Sequence, residues 1–479
     1  MVFSSQVFVF IFLPVAFIIN TVIMLAGKKH KVAVSNVWLL VTSLFFYAWG
    51  EPLAVLLLVA ETLLCWLFAL FIGKFPDKRK LFLVASLVVS LGLLCVFKYT
   101  GFIMDTLSEV TGVAKIGELL PEIALPLGIS FFTFQLLSYV IDVYNEKAEP
   151  QKNPARLLLY VAFFPQLVAG PIVKYKEVEA RLTDRSFEPV SAAEGLRRFM
   201  TGMAKKIIIA NNVALIADSV FALETEKISS VAAILGGVAY TLQIYFDFSG
   251  YSDMAIGIGK MFGFTFSENF NYPFVSFSVK DFWRRWHISV SSWFKEYLYF
   301  PLGGNRKGKL RACVNRIIVF FFTGLWHGAN FTFVLWGLWH GFFLLLEEYT
   351  KPLTERLKVP VLKKILGYVY TAAVVVPGFI MFRSDTVAYG FSYIGRIFSG
   401  TGGLPSGVLA VVTPFTCVIF ALALVAMLPW KVWLGRLFAG KAMEKPYEII
   451  LYLGTILLFV LSVLQLAGSS YNPFIYFRF

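Results

Sequence analysis

The chain has 479 residues, of which 58% are hydrophobic and only 15% are charged, and its mean hydropathy is +0.73. This composition excludes an ordinary soluble domain and indicates an all-α polytopic integral membrane protein. The net charge of +14 comes from Lys and Arg in short loops between apolar stretches, a pattern typical of one basic membrane face, so we expect contact with membrane lipids and not with nucleic acid.

Apolar stretches long enough to cross a bilayer, which takes about 20 residues, recur along the chain. The predicted spans lie near residues 5–26, 34–50, 52–73, 81–98, 123–143, 205–222, 231–248, 362–382, 408–428 and 447–467. Because cytoplasmic loops are rich in Lys and Arg, the basic loops after the first and third spans predict an extracytoplasmic N-terminus. An even number of net crossings then predicts an extracytoplasmic C-terminus.

Two further apolar segments are interrupted and are not predicted to complete a net crossing. Residues 157–173 contain Pro165, Gly170 and Pro171, and residues 314–346 form two apolar halves around a Gly-containing turn. Irregular backbone at membrane depth is tolerated only inside protein or beside a wet cavity. We therefore predict a re-entrant segment and a helical hairpin, both bordering the functional cavity.

Aromatic and basic residues alternate through residues 250–312, as expected of amphipathic helices in a membrane interface. One interpretation is an anchor among lipid headgroups. The other is a cytoplasmic rim at which Arg284 and Arg285 attract an anionic cofactor, such as a coenzyme A phosphate.

Three of the four histidines occur in Trp-His pairs: His287, His327 and His340. An intramembrane histidine is expensive to insert, which favours a functional role. His327, at the predicted hairpin tip, is the candidate general base, the alternative being a residue that only ties two helices together. His287 is either a second catalytic group or part of an interfacial helix, and for His340 we favour structural hydrogen bonding.

Carboxylates and terminal aromatics complete the candidate set. Asp247 is predicted to orient a histidine or to cap a helix, and Asp253 to cap the following helix at its N-terminus. Tyr476, in the aromatic C-terminal residues 474–479, either anchors the tail at the interface or accepts an acyl group. The four cysteines show no metal-ligand spacing, so no metal is expected.

These motifs together resemble the membrane-bound O-acyltransferase superfamily. More closely, they are similar to the branch with the membrane subunits of alginate and peptidoglycan O-acetylation and the teichoic-acid D-alanylation membrane protein. The matching segments are residues 125–135 (LPLGISFFTFQ), 164–171 (FPQLVAGP), 281–287 (DFWRRWH) with 291–293 (SSW), 324–330 (GLWHGAN) and 472–479 (NPFIYFRF).

The resemblance implies a ring of tilted helices around a central funnel, formed by one domain over residues 1–479. Its parts would be N-terminal spans (1–120), a core (121–350), C-terminal spans (351–470) and an extracytoplasmic tail (471–479). It implies His327 and His287 as functional histidines, Tyr476 as acyl carrier, and a bacterial plasma membrane location. The candidate substrate- and cofactor-binding residues are Trp326, Asn330, Arg284, Arg285, Trp286 and Asp247, with His340 as a secondary candidate.

The function implied is transfer of an acyl group, expected to be acetyl from acetyl-CoA, across the membrane. An extracytoplasmic acetyltransferase-like or esterase-like partner would deliver it to a polysaccharide acceptor. One alternative is D-alanyl transfer to teichoic acid from a carrier protein. A transporter or flippase for a glycan precursor, with the histidines as proton relay, is the alternative from another class.

Overall fold

The computed structural model describes residues 1–27, 29–113, 124–168, 170–355, 359–440, 444–468 and 475. Throughout these ranges the regular structure is helical, without a strand, as predicted for an all-α polytopic membrane protein. The chain forms two compact units, one from Met1–Phe199 with Met254–Ser267 and the other from Met200–Asp253 with Glu268–Phe479. The candidate site residues within the described ranges belong to the second unit.

The first unit contains the N-terminal helices, and its longest members are strongly apolar. The α-helices of this unit, long and short, are α1 (Leu13–Ala26), α2 (Lys31–Ala48), α3 (Ala54–Lys74), α4 (Arg79–Thr111), α5 (Ile129–Tyr144), α6 (Pro154–Ala162), α7 (Phe164–Leu167), α8 (Tyr175–Thr183) and most of α9 (Pro189–Ala204). The predicted re-entrant segment is broken as expected, because α6 ends at Ala162 and the four-residue α7 follows.

The second unit contains the remaining helices and the short segments between them. A π-helical stretch, Lys205–Ala210, joins α9 to the next helix. The α-helices are α10 (Asn211–Phe221), α11 (Ser230–Met261, of which the part after Asp253 belongs to the first unit), α12 (Val279–Arg285), α13 (Ile288–Phe294), α14 (Lys309–His327), α15 (Phe331–Glu355), α16 (Pro360–Arg383), α17 (Val387–Arg396), α18 (Ser406–Val411), α19 (Pro414–Ala426), α20 (Trp430–Phe438) and α21 (Glu444–Gly468).

Eight helices in the described ranges are long and apolar enough to cross a membrane, and they match eight of the ten predicted spans. The other two differ. The stretch predicted at 123–143 contains the shorter helix α5, and the stretch predicted at 408–428 contains α19, which is bent by 59° from α20 and counts as a span only if the pair is one broken crossing.

The predicted hairpin is confirmed, with α14 and α15 as its two arms and His327 as the last residue of the first arm. Glycine allows the arms to approach closely. A Cβ atom at Gly337 would lie 2.1 Å from the carbonyl oxygen of Phe320, far inside van der Waals contact. The sequence Trp326-His327-Gly328 therefore marks a real turn between closely packed helices.

The interfacial interpretation of residues 250–312 needs correction in two respects. Helix α11 continues to Met261, so Asp253 lies inside a helix and does not cap one. Phe282 and Trp286 are buried in a hydrophobic core, so these two side chains are not exposed to lipid headgroups. The segment is nevertheless not a span, since the helices that follow α11 are short.

Candidate active site

His327 is buried at the end of α14, within an aromatic pocket. Its ring centroid lies 5.0 Å from the ring of Trp326, 5.0 Å from that of Trp336 and 5.3 Å from that of Phe382. Trp336 comes from α15 and Phe382 from α16, so three helices fix the imidazole. Such an apolar surrounding excludes bulk water and strengthens any electrostatic interaction that the ring makes.

His287 is brought beside His327, with ring centroids 6.0 Å apart. It occupies the break between α12 and α13, where its backbone is left-handed with φ of +44°. This conformation is uncommon for residues other than glycine. The predicted pairing of the two histidines in one site is therefore observed, although 40 positions separate them in the chain.

Asn269 determines which nitrogen of His287 carries the proton. The Asn269 Oδ1 atom accepts the backbone N–H of Ser289 at 3.2 Å and its hydroxyl at 2.9 Å, while Nδ2 donates to the Ser252 hydroxyl at 3.1 Å. A backbone N–H can only donate, so the atom facing it must be the amide oxygen. The same oxygen lies 3.1 Å from His287 Nδ1, so Nδ1 is the donor and Nε2 carries the lone pair.

Burial determines the charge of His287. Desolvation lowers the pKa of this imidazole, which lies outside the eight candidate spans, to about 3. The ring is therefore neutral at physiological pH and can accept a proton through Nε2. The ring thus offers a lone pair in a defined tautomer, although so low a pKa makes it a weaker proton acceptor than an imidazole that titrates near the working pH.

His340 is packed among aromatic rings and is fully buried. Its ring is edge-on to Trp283 and Trp336, each at 5.3 Å, and parallel to Phe282 at 6.4 Å. Within the described residues neither ring nitrogen has a hydrogen-bond partner. The predicted structural hydrogen bonding is thus wrong for this part of the chain, where aromatic packing takes its place.

A cavity of about 270 Å³ lies one aromatic ring away from His327. Phe382 contacts the imidazole on one side and lines the cavity on the other. The cavity wall mixes aromatic and polar groups: Tyr240, Gln243, Asn330, Thr332, Phe333, Phe382, Arg383, Ser384, Asp385 and Ile475. Asn330 also holds the hairpin turn, because its Nδ2 donates to the carbonyl oxygen of Asp385 and its Oδ1 accepts the N–H of Thr332, both at 3.0 Å.

The two carboxylates of α11 pair with lysines. Asp247 accepts a 2.5 Å contact from Lys206, and both side chains are buried. Asp253 accepts from Lys205 at 2.6 Å. Asp247 accepts no hydrogen bond from a histidine among the described residues, so the predicted orientation of a histidine by Asp247 is not what the structure describes there.

The remaining predicted binding residues differ in their surroundings. Trp326 is buried, and its ring lies 5.9 Å from that of His287. Trp286 stacks on Phe282 at 5.5 Å. Arg284 is exposed, whereas Arg285 pairs with Asp281 at 3.1 Å.

Tyr476 lies outside the described residues, although its chain neighbour Ile475 is described. The sequence interpretation missed Asn269 and Lys206. Asn269 lies in an irregular segment 18 residues before His287, and no spacing rule links the two. Lys206 could have been noticed, because it directly precedes the apolar run Ile207-Ile208-Ile209 inside a predicted span.

Comparison with known proteins places these residues in context. The family model of the membrane-bound O-acyltransferase family (MBOAT) matches residues 129–389. The probable alginate O-acetylase AlgI of Pseudomonas putida is 36% identical over 501 residues, covering 100% of both chains. The peptidoglycan O-acetyltransferase of Helicobacter pylori is 36% identical over 416 residues, covering 81% of this chain and 78% of its own. The teichoic acid D-alanyltransferase of Bacillus subtilis is 30% identical over 230 residues, covering 44% and 55%.

Proposed function

The chain belongs to the membrane-bound O-acyltransferase family and is an O-acyltransferase, and we propose that it takes acetyl groups from cytoplasmic acetyl-CoA and passes them across the membrane. The final acceptor is an extracytoplasmic cell-surface polysaccharide. Acetyl is preferred to D-alanyl because the relative covering all of both chains is a probable O-acetylase, whereas the D-alanyltransferase match covers 44% of this chain.

The observation that carries the proposal is the buried pair His287 and His327, with ring centroids 6.0 Å apart. Acyl transfer needs such proton-accepting groups, because a hydroxyl must lose its proton as it attacks and a thiolate must gain one as it leaves. Adjacent imidazoles also suit a proton relay, so the preference over a glycan transporter rests on the relatives, which are O-acetylating enzymes.

In the proposed reaction His327 accepts the proton of an acceptor hydroxyl. The hydroxyl oxygen forms a bond to the thioester carbon, and the carbon–sulfur bond then breaks. The coenzyme A thiolate leaves and takes up the proton from the imidazolium, so atoms and charge balance. His287, neutral and with its lone pair on Nε2, serves as the second proton acceptor or as an orienting group beside the reacting hydroxyl.

The two sides of the site have different proposed partners. On the cytoplasmic side the exposed Arg284, Arg306 and Lys307 are suited to the phosphates of coenzyme A. On the other side the first acceptor is the phenol of Tyr476, from which an extracytoplasmic partner enzyme moves the acetyl group to the polysaccharide. Both termini are proposed to be extracytoplasmic in a bacterial plasma membrane.

The test is transfer of radiolabelled acetyl from acetyl-CoA to the purified protein in detergent. We expect label on the wild type, none on His327→Ala or Tyr476→Phe, and wild-type label on His30→Ala. His30 is the matched control because it is the fourth histidine and is exposed.

Three other outcomes change the proposal in defined ways. Label that persists in Tyr476→Phe removes the covalent tyrosine step and favours direct transfer to a partner. Label that persists in His327→Ala removes the assigned base. No acetyl-CoA binding by folded wild type, together with transfer from a D-alanyl carrier protein, overturns the choice of donor.

A further inference from the structure

A buried ion pair in the second unit makes one further hydrogen bond, which is not part of the ion pair itself. Lys206 and Asp247 lie 2.5 Å apart, with 0% and 3% of their side chains exposed. Only one carboxylate oxygen, Oδ1, faces the lysine. The other, Oδ2, accepts the backbone N–H of Ile475 at 2.9 Å, which connects the pair to the C-terminal segment of the chain, 228 positions away.

Local backbone features allow this pair to form. Lys206 belongs to the π-helical stretch Lys205–Ala210, and such stretches occur frequently at functional sites. One turn after Asp247, a Cβ atom at Gly250 would lie only 2.7 Å from the carbonyl oxygen of Gly202. Glycine therefore lets α11 approach the end of α9 closely enough for Lys206 to reach Asp247.

Ile475 links the ion pair to the active site. It is buried, packs within the core that also contains Trp286 and Trp336, and lines the cavity beside Phe382. The next residue in the sequence is the proposed acyl carrier, Tyr476. A hydrogen bond at Ile475 thus restrains the backbone immediately before the reacting phenol.

We infer that the Lys206–Asp247 pair is a receptor for the C-terminal segment of this chain. Asp247 binds the backbone N–H of Ile475, and Lys206 holds the carboxylate in the orientation that this contact needs. The pair is a positioning device and does not touch the reacting atoms. Its role in catalysis rests on the proposed function, whereas its binding of the tail does not.

A purely structural interpretation makes a different prediction. Buried ion pairs can often be replaced by apolar residues of similar volume with little loss of stability. The double substitution Lys206→Met with Asp247→Leu should therefore fold, yet it has no acceptor for Ile475. If the pair serves only to hold α9 and α11 together, this variant behaves like the wild type.

Tail binding is measured first by hydrogen exchange of the C-terminal residues in the full-length protein. The Ile475 amide should exchange slowly in the wild type and roughly ten- to a hundredfold faster in the double variant, as expected when a hydrogen bond to a charged group is lost. Equal exchange in both proteins overturns the receptor.

Acetyl transfer is the second measurement, with variants on the donor side of the bond. Ile475→Pro removes the N–H, while Ile475→Val retains it and is the matched control. We expect Ile475→Pro and the double variant to lower kcat roughly tenfold or more with the KM for acetyl-CoA almost unchanged, and Ile475→Val to be active. Wild-type kcat in Ile475→Pro contradicts the inference, whereas an inactive wild type with a protected Ile475 amide contradicts only the proposed function.

Discussion

The role of Asn269 is the sharpest prediction that the site allows. Replacing it by alanine removes the oxygen that accepts three contacts, from His287 Nδ1 and from the N–H and hydroxyl of Ser289. Asn269→Asp keeps this acceptor. Asn271→Ala is a matched control, since Asn271 is exposed and lies two positions away.

The structure separates the expected loss of stability from the loss of activity. Asn269→Ala removes four buried hydrogen bonds, three accepted by Oδ1 and one donated by Nδ2 to Ser252. At a net value of about 1 kcal/mol each, they predict about 4 kcal/mol of destabilisation. Loss of the Nδ1 acceptor also frees His287 to place its proton on Nε2, which removes the lone pair there. Because His287 is the proposed second proton acceptor beside His327, losing its lone pair should lower the rate by roughly 10²-fold, the lower end of what a proton-transfer group contributes.

The assay is acetyl transfer together with thermal unfolding in detergent. We expect Asn269→Ala to retain a folded population but to lose at least about a hundredfold in kcat, whereas Asn269→Asp remains within roughly tenfold of the wild type. Asn271→Ala should match the wild type in both measurements. Full activity in folded Asn269→Ala would refute the assignment of the His287 tautomer and its importance.

The remaining predictions concern pH, packing and the third histidine. Because burial lowers the pKa of His287 to about 3, protonation of this ring should cause no loss of transfer activity between about pH 8 and about pH 5. In Asn269→Asp the new carboxylate should raise the pKa of His287, so the loss of activity in acid should begin at a higher pH. Gly337→Ala should destabilise the hairpin by about 1–3 kcal/mol in thermal unfolding, whereas Gly454→Ala, with no atom within 4 Å of the added Cβ, should not. His340→Leu should keep transfer within about tenfold of the wild type without loss of stability, since no hydrogen bond is removed in the described structure; a loss as large as that of His327→Ala would make His340 catalytic.

Hydrophobic length and glycine placement were sufficient to predict most of the fold. Apolar stretches marked eight of the long helices, and Gly328 marked the turn of the hairpin that carries His327. The predicted end of a helix near Asp253 was wrong, because the sequence becomes more polar there while the backbone stays helical. Helix α11 continues through Asp253 to Met261, and Asp253 pairs with Lys205, a partner 48 positions away that leaves no local signal.

The site itself could be predicted only in part. Three of the four histidines marked the candidate site, because burying a histidine in an apolar chain is expensive. The contact of Asn269 with His287 and the pairing of Lys206 with Asp247 could not be predicted, since both join segments that are distant in the sequence. Such contacts depend on tertiary packing and not on periodicity along the chain.

The backbone at His287 shows why these unpredicted contacts matter. A left-handed residue other than glycine is strained by about 1–3 kcal/mol and persists only when its surroundings hold it. Here the N–H of Ile288 donates to the carbonyl oxygen of Asn269 at 3.0 Å, and the N–H of Asn271 donates to that of Arg285 at 2.9 Å. The same short segment therefore fixes both the strained backbone of His287 and the proton on its ring. Glycine would relieve the strain but has no imidazole, so a strained histidine at this position agrees with the role beside His327 that we propose for its ring.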